Sequence, residues 1–212
     1  RKAKSAQDSG IFKKEIVPVE VIQDKKSSII FDKDEFMRPE TTIEVLNKLR
    51  AVFKKDGTVT AGSSSGLNDG SASMLIASEK AINEFSFSPI AKIISSAVVG
   101  VEPRFMGIGP VMAARKALSK ANLGMKDINV IEINEAFSAQ VLACIREWGL
   151  SDDDERINPN GGAIALGHPL GMTGARIIQT AALELKRTNE QYALISMCVG
   201  VGQGYAVIIE RI

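Results

Sequence analysis

Residues 130–148 read VIEINEAFSAQVLACIREW, and their hydrophobic period changes partway through. Val130, Ile131 and Ile133 suit a short strand over Val130 to Ile133, whereas Phe137, Val141, Cys144, Ile145 and Trp148 recur at helical spacing over a predicted helix from Ala136 to Trp148. Asn134 stands at the join, where its side chain can cap the helix and where strand ends in α/β sheets gather functional groups. Working outward, the alternation continues in both directions. A strand over Ala91 to Val99 and a helix over Val111 to Ala121 precede this unit. A strand near Arg156 to Asn158, a helix over Thr173 to Arg187 and strands over Tyr192 to Cys198 and Tyr205 to Glu210 follow it. This βαβαβαββ order predicts an α/β fold: a mixed, mostly parallel five-stranded sheet with helices on both faces.

The first third reads differently. A polar helix from Lys2 to Ser9, a strand from Glu15 to Ile22 and charged segments near Lys25 and Asp32 to Glu35 suggest part of a domain. Thr41-Thr42-Ile43-Glu44 reads as a capping box opening a helix with Val45, Leu46, Leu49 and Val52 on its apolar face. Asp56-Gly57 is a turn signal, a short strand over Thr58 to Ala61 leads into the serine-rich loop Gly62 to Gly66, and a second helix is expected to carry Met74, Leu75, Ala77, Ala81 and Ile82. Lys and Arg number 26 against 25 Asp and Glu, a balance that points to no nucleic-acid partner. The longest apolar stretches, Ile90 to Val101 and Tyr192 to Val201, are broken before membrane-spanning length. Two cysteines cannot build a disulfide framework and suit a reducing, cytoplasmic setting. The chain starts at Arg1 inside a predicted helix, which suggests that something upstream has been removed.

Several residues can carry chemistry. His168 is the only histidine, set among Gly161, Gly162, Gly167 and Gly171 in a loop that opens a helix, where backbone can approach a ligand. A lone histidine can equally be structural; if functional, it suits proton transfer to a nucleophile or stabilisation of an anion. Cys198 ends an apolar strand before the loop Val199-Gly200-Val201-Gly202-Gln203-Gly204, which can expose a thiol and free backbone N–H groups, or can be an ordinary hairpin after a buried cysteine. Cys144 shares a helical face with Phe137, Val141, Ile145 and Trp148, so packing accounts for it. Asn134 is either a helix cap or a site residue. Gly107-Ile108-Gly109-Pro110 lacks the glycine spacing of a dinucleotide fingerprint, and Gly62 to Gly66 lacks the lysine of a Walker loop, so neither supports phosphate chemistry.

Three separated segments resemble the signatures of one family, the thiolases. They are Asn134-Glu135-Ala136-Phe137, the run from Gly161 to Pro169 (GGAIALGHP), and the run from Cys198 to Gly204 (CVGVGQG), with Gly66-Leu67-Asn68-Asp69-Gly70 as a fourth. The version most resembled is the acetyl-CoA acetyltransferase type, which implies reversible Claisen condensation of two acetyl-CoA to acetoacetyl-CoA and coenzyme A. The resemblance divides the chain into residues 1–66, the tail of a loop domain; 67–89, the last part of the N-terminal half; and 90–212, a complete C-terminal half. It implies that the nucleophilic cysteine belongs to a missing N-terminal half, that neither Cys144 nor Cys198 takes that role, and that this chain alone is inactive.

By the same resemblance His168 activates the nucleophile and binds the thioester oxygen, and Cys198 is the acid/base at the acyl α-carbon. Asn134 holds a water completing one oxyanion hole, and the backbone N–H of Gly200 contributes to the other. Coenzyme A, a substrate and not a tightly bound cofactor, would meet Ala61 and Ser65 along its pantetheine and Arg38 at its adenine end, with Ala136 and Phe137 lining the acyl pocket. His168 is the expected neighbour that helps Cys198 reach thiolate. No metal is implied, and a homodimer or homotetramer is. A non-catalytic thiolase-like protein that binds acyl-CoA or lipid is the competing reading; it has no use for His168, Cys198 and Asn134 together.

Overall fold

The computed structural model describes residues 1–212. Helix α1 (Lys2–Asp8) opens the chain, and Ala3 and Ala6 on its inner face are buried. Strands β1 (Val19–Ile22) and β2 (Ser28–Phe31) then form an antiparallel hairpin. The second strand lies in a segment whose charges had masked it in the sequence. Helix α2 is a single turn, Ile43–Leu46, capped by Thr42, whose hydroxyl accepts from the Val45 N–H. Residues 58–61 are not a strand: Thr60 makes one isolated bridge to Ala51, and Ala61–Ser63 is a 3-10 turn. The second expected helix starts later than its apolar spacing suggests. Residues 71–77 have no regular structure, and α3 runs Glu79–Phe85 from a Ser78 cap that accepts from the Ala81 N–H. Local capping chemistry, not apolar period, sets that boundary.

Beyond residue 90 the predicted order of elements holds, but the sheet is mixed with antiparallel pairs in the majority, not mostly parallel, because the last two strands form a hairpin. Strand β3 (Ala91–Gly100) leads through a 3-10 segment, Pro103–Ile108, into α4 (Gly109–Ala121). Next come β4 (Val130–Ile133), α5 (Ser138–Glu147), the single turn α6 (Ala163–Leu166) and α7 (Thr173–Thr188). The chain closes with the hairpin β5 (Tyr192–Val199) and β6 (Gln203–Arg211). The main sheet has four strands in the order β3-β6-β5-β4, with β4 and β5 parallel and the other pairs antiparallel. The fifth strand expected at residues 156–158 is reduced to one parallel bridge, Ile131 to Ile157. Its backbone partners are nevertheless strand-like: the Ile131 N–H donates to Arg156 O and the Asn158 N–H to Ile131 O.

Strand alternation sorts the core into two layers. Ile131, Ile133, Leu194, Ala206 and Ile208 pack against Val111, Ala114 and Ala117 of α4 and Val141, Cys144 and Ile145 of α5. Val130, Ala193, Ile195, Val207 and Ile209 pack against Ile177, Ala181 and Leu185 of α7. Helix α4 approaches β6 closely because both contact points are glycines: a Cβ on Gly204 would run into the backbone of Gly109, so the run Gly107 to Pro110, already read as lacking phosphate chemistry, is a packing device. No helix is long and apolar enough to cross a membrane.

Candidate active site

The site is built where β4 ends, where α7 begins, and where the loop 61–70 crosses both. Asn134 does not cap α5. That helix has Phe137 at its N-cap position, with no side-chain cap bond, and starts at Ser138. Asn134 is instead buried, its backbone N–H held by Ser196 O and its Nδ2 3.3 Å from Nε2 of His168. On the other side of the ring, Nδ1 of His168 lies 2.8 Å from Oγ1 of Thr173, the first residue of α7. The loop 61–70 fixes the histidine backbone: His168 N–H donates to Gly66 O at 3.0 Å and lies 3.3 Å from Asn68 Oδ1. Gly167 has φ +94, and a Cβ there would strike the Asn68 side chain, so glycine is required on both conformational and steric grounds. Burial, and then the charge of Arg176, hold His168 below its usual 6.5, so the ring is neutral at physiological pH.

Cys198 sits one residue before the end of β5, buried, and opposite Gly204 across the hairpin. Burial pushes its thiol up, and its own backbone N–H opposes the shift. His168 does not act on it as the sequence reading expected. The thiol is therefore held protonated, the form that donates a proton. Gly200 is exposed at the hairpin tip beside Val201, whose φ of +59 is a costly conformation for a β-branched residue.

The expected coenzyme A residues fall into two groups. Ser65, Ala136 and Phe137 come together: the Ser65 N–H donates to Ala136 O at 3.1 Å, Ser64 bridges Phe137, and the Phe137 ring packs edge-on against Phe53 at 5.9 Å. Ala61 lies exposed in the 3-10 turn leading into that strip. Arg38 is exposed further back, its carbonyl accepting from Thr41, while Phe36 two residues earlier packs on Gly66. A polar surface cleft of about 690 Å³ lies elsewhere, between Asn129, Asn189 and Arg211. No group of three His, Cys, Asp or Glu side chains is arranged to hold a metal ion.

Three supporting residues were not picked out from sequence. Thr173 holds the histidine ring, Asn68 its backbone, and Glu135 ties the glycine loop to β4 by accepting from Asn158 Nδ2 and the Ile164 N–H, both at 3.0 Å. Glu135 lay inside a quoted motif, where a charge beside glycines was an available signal; Thr173 had none beyond its position five residues after His168. Glu132, two residues before Asn134 on the same face of β4, is also buried. Its Oε1 has no partner and its Oε2 is 4.0 Å from Arg176 Nη1, too far for a hydrogen bond. Desolvation therefore dominates the opposing charge, and the carboxyl is pushed up to about 8.

A neutral buried imidazole with an amide against one edge and a hydroxyl against the other can accept a proton. The family model for the thiolase C-terminal domain matches residues 87–211, and that for the thiolase N-terminal domain matches residues 1–80. The chain belongs to the thiolase family. It is 55% identical over 208 residues to a beta-ketoadipyl-CoA thiolase of Acinetobacter baylyi, covering 98% of this chain and 52% of that relative. It is 49% identical over 213 residues to a 3-ketoacyl-CoA thiolase of Klebsiella pneumoniae, covering 100% of this chain and 55% of that one. Among solved structures, the acetyl-CoA acetyltransferase of Bacillus anthracis matches with a TM-score of 0.94 at 44% identity, covering 100% of this chain and 53% of that chain. The human mitochondrial 3-ketoacyl-CoA thiolase in complex with CoA matches with a TM-score of 0.89 at 45% identity, with 100% and 52% covered.

The chain thus spans about half the length of the curated relatives it matches. Its reading as a C-terminal half alone is corrected, because residues 1–80 match the N-terminal domain's model. The structure gives the physical counterpart. Residues 1–80 are bonded into the site, through Gly66 and Asn68 to His168, Ser65 to Ala136, and Lys2 Nζ to Ile157 O at 2.7 Å.

Proposed function

We propose that the protein cleaves 3-oxoacyl-CoA with coenzyme A, and runs the reverse Claisen condensation, through His168, Cys198, Asn134 and Gly200. The observation that carries this reading is the buried, neutral His168 ring held on one edge by Asn134 and on the other by Thr173. His168 takes the proton of an attacking cysteine thiol, which is neither Cys144 nor Cys198 and which carries the acyl group until coenzyme A accepts it. The resulting thiolate adds to the 3-oxo carbon, the bond between C2 and C3 breaks, and the leaving acetyl-CoA enolate takes a proton from the Cys198 thiol. Coenzyme A then accepts the acyl group. Asn134 Oδ1, buried without a protein partner, can accept from a water whose second hydrogen meets the thioester oxyanion, and the Gly200 N–H serves the second oxyanion. Cys144 is unsuited to any of this, since burial pushes it up to about 12.

Ala61, Ser65 and Arg38 line the path of coenzyme A, and Ala136 and Phe137 the acyl pocket, in a chain divided at 66 and 89 as its resemblance implies. Relatives above 50% identity named for beta-ketoadipyl-CoA and 3-oxoadipyl-CoA favour a dicarboxylic 3-oxoacyl substrate. The likeness to the Bacillus anthracis acetyl-CoA acetyltransferase supports the second reading, acetoacetyl-CoA. A cytoplasmic homodimer or homotetramer fits the reading, given exposed apolar side chains such as Leu75, Ile76, Phe85 and Val98. Thiolysis of 3-oxoadipyl-CoA and acetoacetyl-CoA, compared by kcat/KM, is the test. A higher value for the dicarboxylic substrate is expected, a higher value for acetoacetyl-CoA supports the second reading, and binding of both without cleavage favours a non-catalytic acyl-CoA-binding protein.

A further inference from the structure

We infer that Thr173 is a positioning residue that sets the tautomer of His168, with the proton on Nδ1 and the lone pair on Nε2. Thr173 is fully buried at the first position of α7, and its Oγ1 has two neighbours: Pro169 O at 2.9 Å and His168 Nδ1 at 2.8 Å. A hydroxyl has one hydrogen to give. Pro169 is four residues before Thr173, the offset at which a threonine hydroxyl at a helix start donates back to a carbonyl. With the hydrogen spent there, Oγ1 can only accept from the ring, which places the ring proton on Nδ1.

The other edge of the ring agrees. Nε2 then carries the lone pair and accepts from Asn134 Nδ2 at 3.3 Å, leaving Asn134 Oδ1 as the atom of that amide without a protein partner. In the opposite tautomer Nε2 is a donor and needs Asn134 Oδ1 against it. The amide would then turn its two N–H donors toward the unpartnered side. Orphaned buried donors are rarer than orphaned acceptors, so the first arrangement is preferred. The 3.3 Å separation is also long for a hydrogen bond, which leaves Nε2 ready to exchange its amide partner for a thiol proton.

The consequence for rate rests on the function proposed above: a base needs its lone pair at Nε2, facing the reacting thiol and not the helix. Because the chain has one histidine, a long-range ¹H–¹⁵N spectrum of histidine-labelled protein at pH 8 reads the tautomer without assignment. The expected result is a protonated Nδ1 and an unprotonated Nε2 in the wild type. A protonated Nε2 overturns the inference, whatever the enzymatic activity.

Thr173→Val keeps the shape and removes the acceptor. It should lower kcat for thiolysis by at least about 10-fold with an unchanged KM for coenzyme A, and Thr173→Ser should restore both the wild-type spectrum and most of the rate. A Thr173→Val spectrum and rate equal to wild type also overturns the inference. A wild type with a protonated Nδ1 but no thiolysis would support the tautomer while removing the proposed function, so the two failures are distinguishable.

Discussion

At Asn134 the sequence offered two roles, helix cap or site residue, and the structure separates them. The helix starts four residues later, so the amide is free to face His168. The two titrating groups set the expected pH dependence. His168 must be neutral to accept a proton and is held below 6.5, while Cys198 must be protonated to donate one and is held above 9.0. Thiolysis kcat/KM should be flat between those values, with the acid limb below pH 6.5 and the alkaline limb above pH 9.0. An acid midpoint above 6.5 would contradict the burial of His168 as the cause of its shift.

Glu132 gives a stability prediction at the same scale. Its carboxyl titrates near its ordinary 4.5 when unfolded and near about 8 in the fold. Below the lower value it is protonated in both states. As pH rises through the window the unfolded chain releases a proton that the fold retains, so its stabilising contribution is progressively lost. Urea midpoints should therefore fall between pH 5 and 8, by on the order of a few kcal/mol in unfolding free energy. Glu132→Gln, which keeps the shape and cannot ionise, should flatten that fall; an unchanged slope would assign it to other groups, such as Glu15 and Asp34, whose carboxyls are also raised by burial. No sequence signal marked Glu132 as buried beyond its place in an apolar strand.

Among the elements, legibility followed burial. Strand β4 and helices α4 and α7 were readable because their apolar periods report a two-sided core that decides their boundaries. The first third was less readable: β2 is fully exposed and carries no alternation, and α3 starts where Ser78 can cap it. The hairpin between β5 and β6 shows a different limit. Its glycines were visible, but the left-handed Val201 between them was not, since nothing in the pattern requires a β-branched residue there. Val201→Gly should relieve left-handed strain of about 1–2 kcal/mol, less the added flexibility of the unfolded chain, for a net gain of about 1 kcal/mol in thermal unfolding. A loss of stability would mean that packing, not strain, governs this 85%-exposed residue.

For the whole molecule, the sequence conveyed the family and the sheet that presents its site, because motifs and periodicity are local. It did not convey how loop 61–70 fastens onto His168, whose N–H donates to Gly66 O, a backbone atom that any residue type would supply, and lies beside the Asn68 side chain 100 residues away. Nor could it convey the loss of the fifth strand, whose residues keep strand-like hydrogen bonds but only one bridge. The central claim is that this molecule holds an acyl-CoA thioester with its α-carbon against Cys198 and its oxygen in an oxyanion hole. Deuterium uptake at the acetyl methyl group of acetyl-CoA in D₂O isolates that step from the attack of any nucleophile. The wild type should incorporate deuterium, and Cys198→Ala should reduce the rate by roughly 10²- to 10⁴-fold. Exchange that proceeds equally well in Cys198→Ala would contradict the account.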